Sequence, residues 1–109
     1  MFKNLGSIFL PALMLRLSAT TTQAHADGSI SISGFAFSPA VIEVPAGSPV
    51  TWTNQDKASH SIVGDTSSGD FSSDVLKQGD RFSHTFSLTG TYKYRCGFHK
   101  YMTGTVVVK

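Results

Sequence analysis

The sequence predicts an all-β protein, a sandwich of short strands. Three observations carry this expectation. Apolar residues recur at every second position in several short runs, which is the period of a half-buried strand and not of a helix. These runs are rich in Val, Ile, Thr and aromatic residues, and Pro, Gly, Asn, Asp and Ser punctuate them. After residue 26 no stretch carries apolar residues at helical spacing.

Taken in order, Ile30 and Ile32 alternate with serines. Val41 to Val44 follows Pro39 and stops at the Pro45-Ala46-Gly47 turn. Val50 to Thr53 is a β-branched and aromatic run ending at Asn54, and Ser61 to Val63 is a short strand. Asp65 to Asp74, rich in Ser, Gly and Asp, is a loop. Phe82, His84 and Phe86 alternate with Ser83 and Thr85, Thr91 to Arg95 alternates again, and Thr103 to Val108 closes the chain. Many short strands with turn signals between them build a β-sandwich, with no internal repeat and no linker. Trp52 is a core residue, Tyr92 and Tyr94 pack between sheets or anchor a corner, and His84, on one strand face with Phe82 and Phe86, is a core-edge histidine.

A chain of 109 residues makes one domain, and 40% hydrophobic with 15% charged residues fits a globular fold. Residues 1–26 read as a secretory leader, leaving residues 27–109 as the domain. Lys3 supplies a positive start, Leu5 to Leu15 is mostly apolar, and Ala24-His25-Ala26 is a small-residue cleavage site before Asp27. Arg16 ends an apolar run too short to span a bilayer. An uncleaved N-terminal anchor is the alternative; no Cys follows the run to take a lipid. The leader therefore implies export. Removing Lys3 and Arg16 takes nine basic residues to seven, matching seven acidic ones, so the full-chain charge of +2 becomes zero. No basic patch points to nucleic acid.

The chemistry concentrates in Cys96-Gly97-Phe98-His99-Lys100-Tyr101-Met102, which holds the chain's one Cys and the only Met outside the leader. One Cys cannot close an internal disulfide, and a spare thiol in an oxidising compartment is a liability unless buried or engaged. A buried, inert Cys would be the bland reading of Cys96 by itself. With an imidazole and a thioether at this spacing, a copper site becomes the stronger one. Copper accepts thiolate, imidazole and a weak thioether together, whereas a thioether adds little for zinc. A trigonal site of two imidazoles and a thiolate needs a second His, and His60, 36 residues before the Cys, is the candidate.

At this point the chain resembles a family. Cys96-x-x-His99-x-x-Met102, after Gly90-Thr-Tyr-Lys-Tyr-Arg95 and before a Thr and Val run, together with the block from Phe35 to His60, is similar to the blue-copper proteins, the cupredoxins. The short ligand loop is most similar to the amicyanins, and plastocyanins and pseudoazurins resemble it more loosely. The resemblance runs from Ser29 to Lys109. It implies a cupredoxin-like Greek-key sandwich with the metal site in loops at one end, one type 1 copper ion, and the ligands His60, Cys96, His99 and Met102. Where these relatives carry an Asn after the first His, bracing the Cys segment, this chain has Ser61.

Three functions remain open at this level. One is a monomeric exported one-electron carrier, not an enzyme, meeting redox partner proteins transiently; the resemblance implies a donor dehydrogenase and an acceptor such as a cytochrome. A second is a copper-binding protein for delivery or storage. The third is an enzyme with Cys96 as nucleophile and His99 or His60 as base, for which no orienting group or oxyanion hole is visible. A complete four-ligand set favours the carrier. His99, mid-loop, is expected to be the ligand nearest the surface, with Lys100 at its rim. Whether Phe98 and Tyr101 pack down or form an apolar patch around it stays open.

Overall fold

The computed structural model describes residues 27–65, 67 and 70–109, so the expected leader lies outside the described residues. Among the described residues there are eight strands: β1 (Gly28–Ser33), β2 (Ala36–Ser38), β3 (Val41–Val44), β4 (Ser48–Asn54), β5 (Val63–Gly64), β6 (Arg81–Phe86), β7 (Gly90–Arg95) and β8 (Thr103–Val108). They form two four-stranded sheets, ordered β2-β1-β4-β6 and β3-β8-β7-β5. Both sheets are mixed, since β1 runs parallel to β4 and β3 parallel to β8. The all-β sandwich expected from alternation is the fold observed. No helix among the described residues is long and apolar enough to cross a membrane.

The period of two explains the core. On β4 every second residue, Ser48, Val50, Trp52 and Asn54, is buried, and β1 contributes Gly28, Ile30 and Ile32 in the same way. The facing sheet supplies Val44, Tyr94, Val106 and Val108. Trp52 and Tyr94 meet across the sandwich with ring centroids 5.3 Å apart and planes at 86°, an edge-to-face arrangement that suits aromatic quadrupoles. Gly104 stands directly opposite Tyr94 in the β7–β8 ladder, and a Cβ there would collide with the tyrosine hydroxyl. Burial pushes the Tyr94 phenol up to about 12. Tyr92 anchors a corner, as expected, by donating its hydroxyl to the Leu88 carbonyl at 2.7 Å.

Two elements differ from the sequence reading. Strand β2 was not legible, because only three residues separate the Gly34-Phe35 turn from Pro39. The short strand expected at Ser61 to Val63 is instead Val63–Gly64. Ile62 turns its backbone to Ser73, donating to Ser73 Oγ at 2.8 Å and accepting from Ser73 N at 2.9 Å, so the ladder to β7 begins only at Val63. His60 therefore stands outside any strand, in an isolated bridge to Leu76.

The described residues between Asp65 and Asp74 lie outside the eight strands, as expected of a loop, but one of them is a core residue. Phe71 is 7% exposed and fills the open side of the sandwich between β5 and β6. Its ring lies 5.2 Å from His84 at 23° and 5.2 Å from Phe86 at 84°. A Cβ on Gly64 would meet that ring at 2.7 Å, which is why glycine stands there.

Candidate metal centre

Three connections converge at one end of the sandwich: the β1–β2 turn, the segment after β4, and the β7–β8 loop. Cys96 directly follows β7 and Met102 directly precedes β8. The loop between them is closed by its own backbone, with Cys96 N donating to Met102 O and Met102 N donating to His99 O, both at 3.0 Å. His60 is fixed by the reciprocal bridge to Leu76, at 3.0 and 2.7 Å. Strand ends thus position Cys96 and Met102, the isolated bridge to Leu76 positions His60, and the loop between β7 and β8 carries His99.

The geometry brings together the residues that the sequence nominated. His60 Nδ1 lies 3.6 Å from Cys96 Sγ and His99 Nδ1 lies 3.9 Å from it. One donor atom from each of His60, Cys96 and His99 falls within 4.8 Å of the others, and Met102 lies close to the three. Metal bonds of about 2.0–2.3 Å spread trigonally put donors roughly 3.6 Å apart, so this spacing fits a single ion. His60, Cys96 and Met102 are buried, and His99 is half-buried. A soft thiolate, two imidazoles and a thioether are a donor set for copper. His84 lies among Phe71, Phe82 and Phe86, outside the cluster, as expected.

A hydrogen-bond shell that sequence reasoning missed orients these donors. His60 Nε2 lies 2.9 Å from Asp56 Oδ2. A carboxylate only accepts, so Nε2 carries the proton and Nδ1 keeps its lone pair for a metal. The same carboxylate accepts from Gly34 N at 2.8 Å and Phe35 N at 2.9 Å. The Phe35 N–H, then the His60 ring and the Gly34 N–H, hold the Asp56 carboxyl below the usual carboxylate range, against partial burial. Asn54 accepts from Asp56 N at 2.9 Å and donates to the carbonyls of Ala58 and Leu76, tying the loop back to His60. The one available signal was the spacing of Asp56 and His60, four apart in the chain.

The brace left in question by Ser61 is made by Ser61 itself. Gly97 N donates to Ser61 Oγ at 3.1 Å across the two segments. A Cβ on Gly97 would collide with that oxygen, so the contact depends on the glycine. Phe98 N points at Cys96 Sγ from 3.5 Å, and Arg95 Nη1 donates to Cys96 O at 3.1 Å. Phe98 and Tyr101 are 55% and 72% exposed, which settles the open question in favour of a surface patch around His99. A cleft of about 640 Å³ on the outer face of β5, β7 and β8, lined by Lys93, Arg95 and Thr105, includes none of the donors.

A family model described as a cupredoxin-like domain matches residues 6–108. The chain belongs to the cupredoxin family. Among cupredoxin relatives, amicyanin-alpha of Methylorubrum extorquens is 32% identical over 83 residues, covering 73% of this chain and 70% of that protein. A purple cupredoxin from Nitrosopumilus maritimus superposes with a TM-score of 0.70 at 38% identity, over 76% of this chain and all of that one. A copper-containing nitrite reductase from Thermus scotoductus superposes with a TM-score of 0.73 at 28% identity, and this chain covers only 24% of it. The cofactor of this cupredoxin is one type 1 copper ion.

Proposed function

We propose that this cupredoxin is an exported one-electron carrier and not an enzyme, with copper held by His60, Cys96, His99 and Met102. Bound copper would supply a single electron's change of oxidation state. The chain's own residues do the rest. The burial of three donors excludes water, and the Asp56 bond fixes the His60 tautomer and ring direction. Backbone bonds across the 96–102 loop tie Cys96, His99 and Met102 to one another, which limits how far the donors can rearrange. Half-buried His99 offers a route outward.

The observation that carries this reading is the enclosure of Cys96 Sγ between two imidazole Nδ1 atoms at 3.6 and 3.9 Å, with only His99 reaching the surface. A delivery protein needs an open, readily exchanging site. Partners are redox proteins that dock transiently, a donor dehydrogenase and an acceptor such as a cytochrome in the amicyanin-like version of the reading, and the carrier is a monomer. Residues 1–26 act as a leader cleaved before Asp27, placing residues 27–109 in the periplasm; β1 starts at Gly28, so cleavage there leaves the sandwich whole.

Titration with copper(II) tests the ligand set. Wild type develops an intense visible charge-transfer band at one equivalent. Cys96→Ser loses the band, and His60→Ala loses most of it. Met102→Leu keeps a coloured site with a shifted potential, because a thioether would bind the copper only weakly. His84→Ala is spectroscopically silent. If His84→Ala bleached the protein while His60→Ala did not, the assignment would be wrong.

A further inference from the structure

Phe35 occupies a backbone conformation that suits it poorly. It follows Gly34 in the two-residue turn joining β1 to β2, with φ values of 62° at Gly34 and 58° at Phe35. Such a turn sets both central residues in the left-handed region and favours Gly or Asn. Among the described residues Phe35 is the one non-glycine with positive φ. A bulky side chain there is strained, and such strain persists where other contacts override it.

Two sets of contacts do so. The Asp56 carboxylate takes both turn N–H groups, from Gly34 at 2.8 Å and Phe35 at 2.9 Å, while its Oδ2 also faces His60 Nε2. The Phe35 ring stands across both imidazoles, with centroids 5.0 Å from His60 at 86° and 5.1 Å from His99 at 83°. The ring keeps 41% exposure while His60 has none. It is therefore an outer wall, with solvent on one side and both imidazoles on the other. A glycine would relieve the turn and remove that wall.

We propose that Phe35 is a positioning residue for the metal centre: its strained turn, pinned by Asp56, holds one ring against both imidazoles and restricts access of water and competing ligands to the donor cluster. The proposal rests on the reading that His60, Cys96 and His99 hold copper. It separates two quantities that usually move together, the stability of the metal-free fold and the retention of the metal. Strain belongs to the turn, and retention belongs to the ring.

The test compares wild type with Phe35→Gly, Phe35→Ala and Phe35→Tyr. Without copper, Phe35→Gly melts higher than Phe35→Ala, because both lose the ring but only glycine loses the strain. With copper(II) loaded, EDTA strips the metal roughly tenfold faster from the Gly and Ala variants alike, and Phe35→Tyr restores the wild-type rate. A metal-free Ala variant as stable as the Gly variant overturns the strained turn. Release rates equal to wild type in the Gly and Ala variants, or rates that follow melting temperature and not the ring, overturn the wall. A wild-type protein that develops no colour with copper refutes the copper reading itself, and the metal-free comparison of Gly with Ala still decides the turn.

Discussion

Phe98 N lies 3.5 Å from Cys96 Sγ and has no other partner in the ligand loop. An N–H donated to a thiolate draws electron density from sulfur and favours the lower metal charge. This contact is therefore a lever on the potential that acts through the backbone and not the side chain. Phe98→Pro removes the donor and lowers the midpoint potential by about 40 mV, the equivalent of about 1 kcal/mol for one hydrogen bond. Phe98→Ala keeps the N–H and leaves the potential near wild type. Protein-film voltammetry of the two variants decides it; equal potentials would mean the sulfur is insensitive to this bond. The same scale shows what a sequence conveys. Cys96, His99 and Met102 stand out as candidates by type and spacing, because few side chains offer a thiolate, an imidazole or a thioether. The roles of Asp56 and of the Phe98 N–H do not, since carboxylates and amides are common and only three-dimensional proximity singles them out.

At the scale of elements, alternation made most strands readable, because one face of each sheet is buried and the other is not. The failures have a local physical cause. Strand β2 is too short to show a period, and the expected Ser61 to Val63 strand yields to the Ser73 side chain, which takes the backbone of Ile62. Phe71 reaches the core from a polar loop, a tertiary choice that its neighbours in sequence do not announce. Strand β6 gives a prediction. His84 lies between Phe71 and Phe86, opposite Val50, and burial lowers its pKa from 6.5. The fold therefore favours the neutral ring, and the unfolded chain binds more protons as acid is added. Its contribution to stability is complete above about pH 6.5 and is lost as pH falls from there towards the lower folded value. Thermal melts of the metal-free protein show a midpoint that falls on this side of neutrality, and His84→Phe flattens that part of the profile. An unchanged profile would place the pH dependence on other groups.

On the scale of the whole molecule, the sandwich sorts the donors by depth. The strand ends bury Cys96 and Met102, the bridge to Leu76 holds His60 equally deep, and only the loop residue His99 approaches solvent. Around it stand Phe35, Phe98 and Tyr101, exposed by 41%, 55% and 72%, with Lys100 beside them. Tyr101 and Phe98 ring centroids lie 5.9 and 6.5 Å from that of His99. A largely uncharged surface releases a partner easily, and the Lys100 cation at its rim makes docking mildly salt-dependent. If electrons leave through His99, a charge planted in this patch obstructs docking without touching the copper ligands. Phe98→Asp is the variant, because it keeps the backbone N–H and so separates docking from the potential. Its visible spectrum and potential stay near wild type, while the second-order electron-transfer rate with a redox partner falls roughly tenfold or more, since a carboxylate desolvated without a counter-charge is expensive. Raising ionic strength does not restore the rate, because desolvation and not long-range repulsion causes the loss. A rate equal to wild type, with copper intact, would move the exit of electrons to another face of the sandwich.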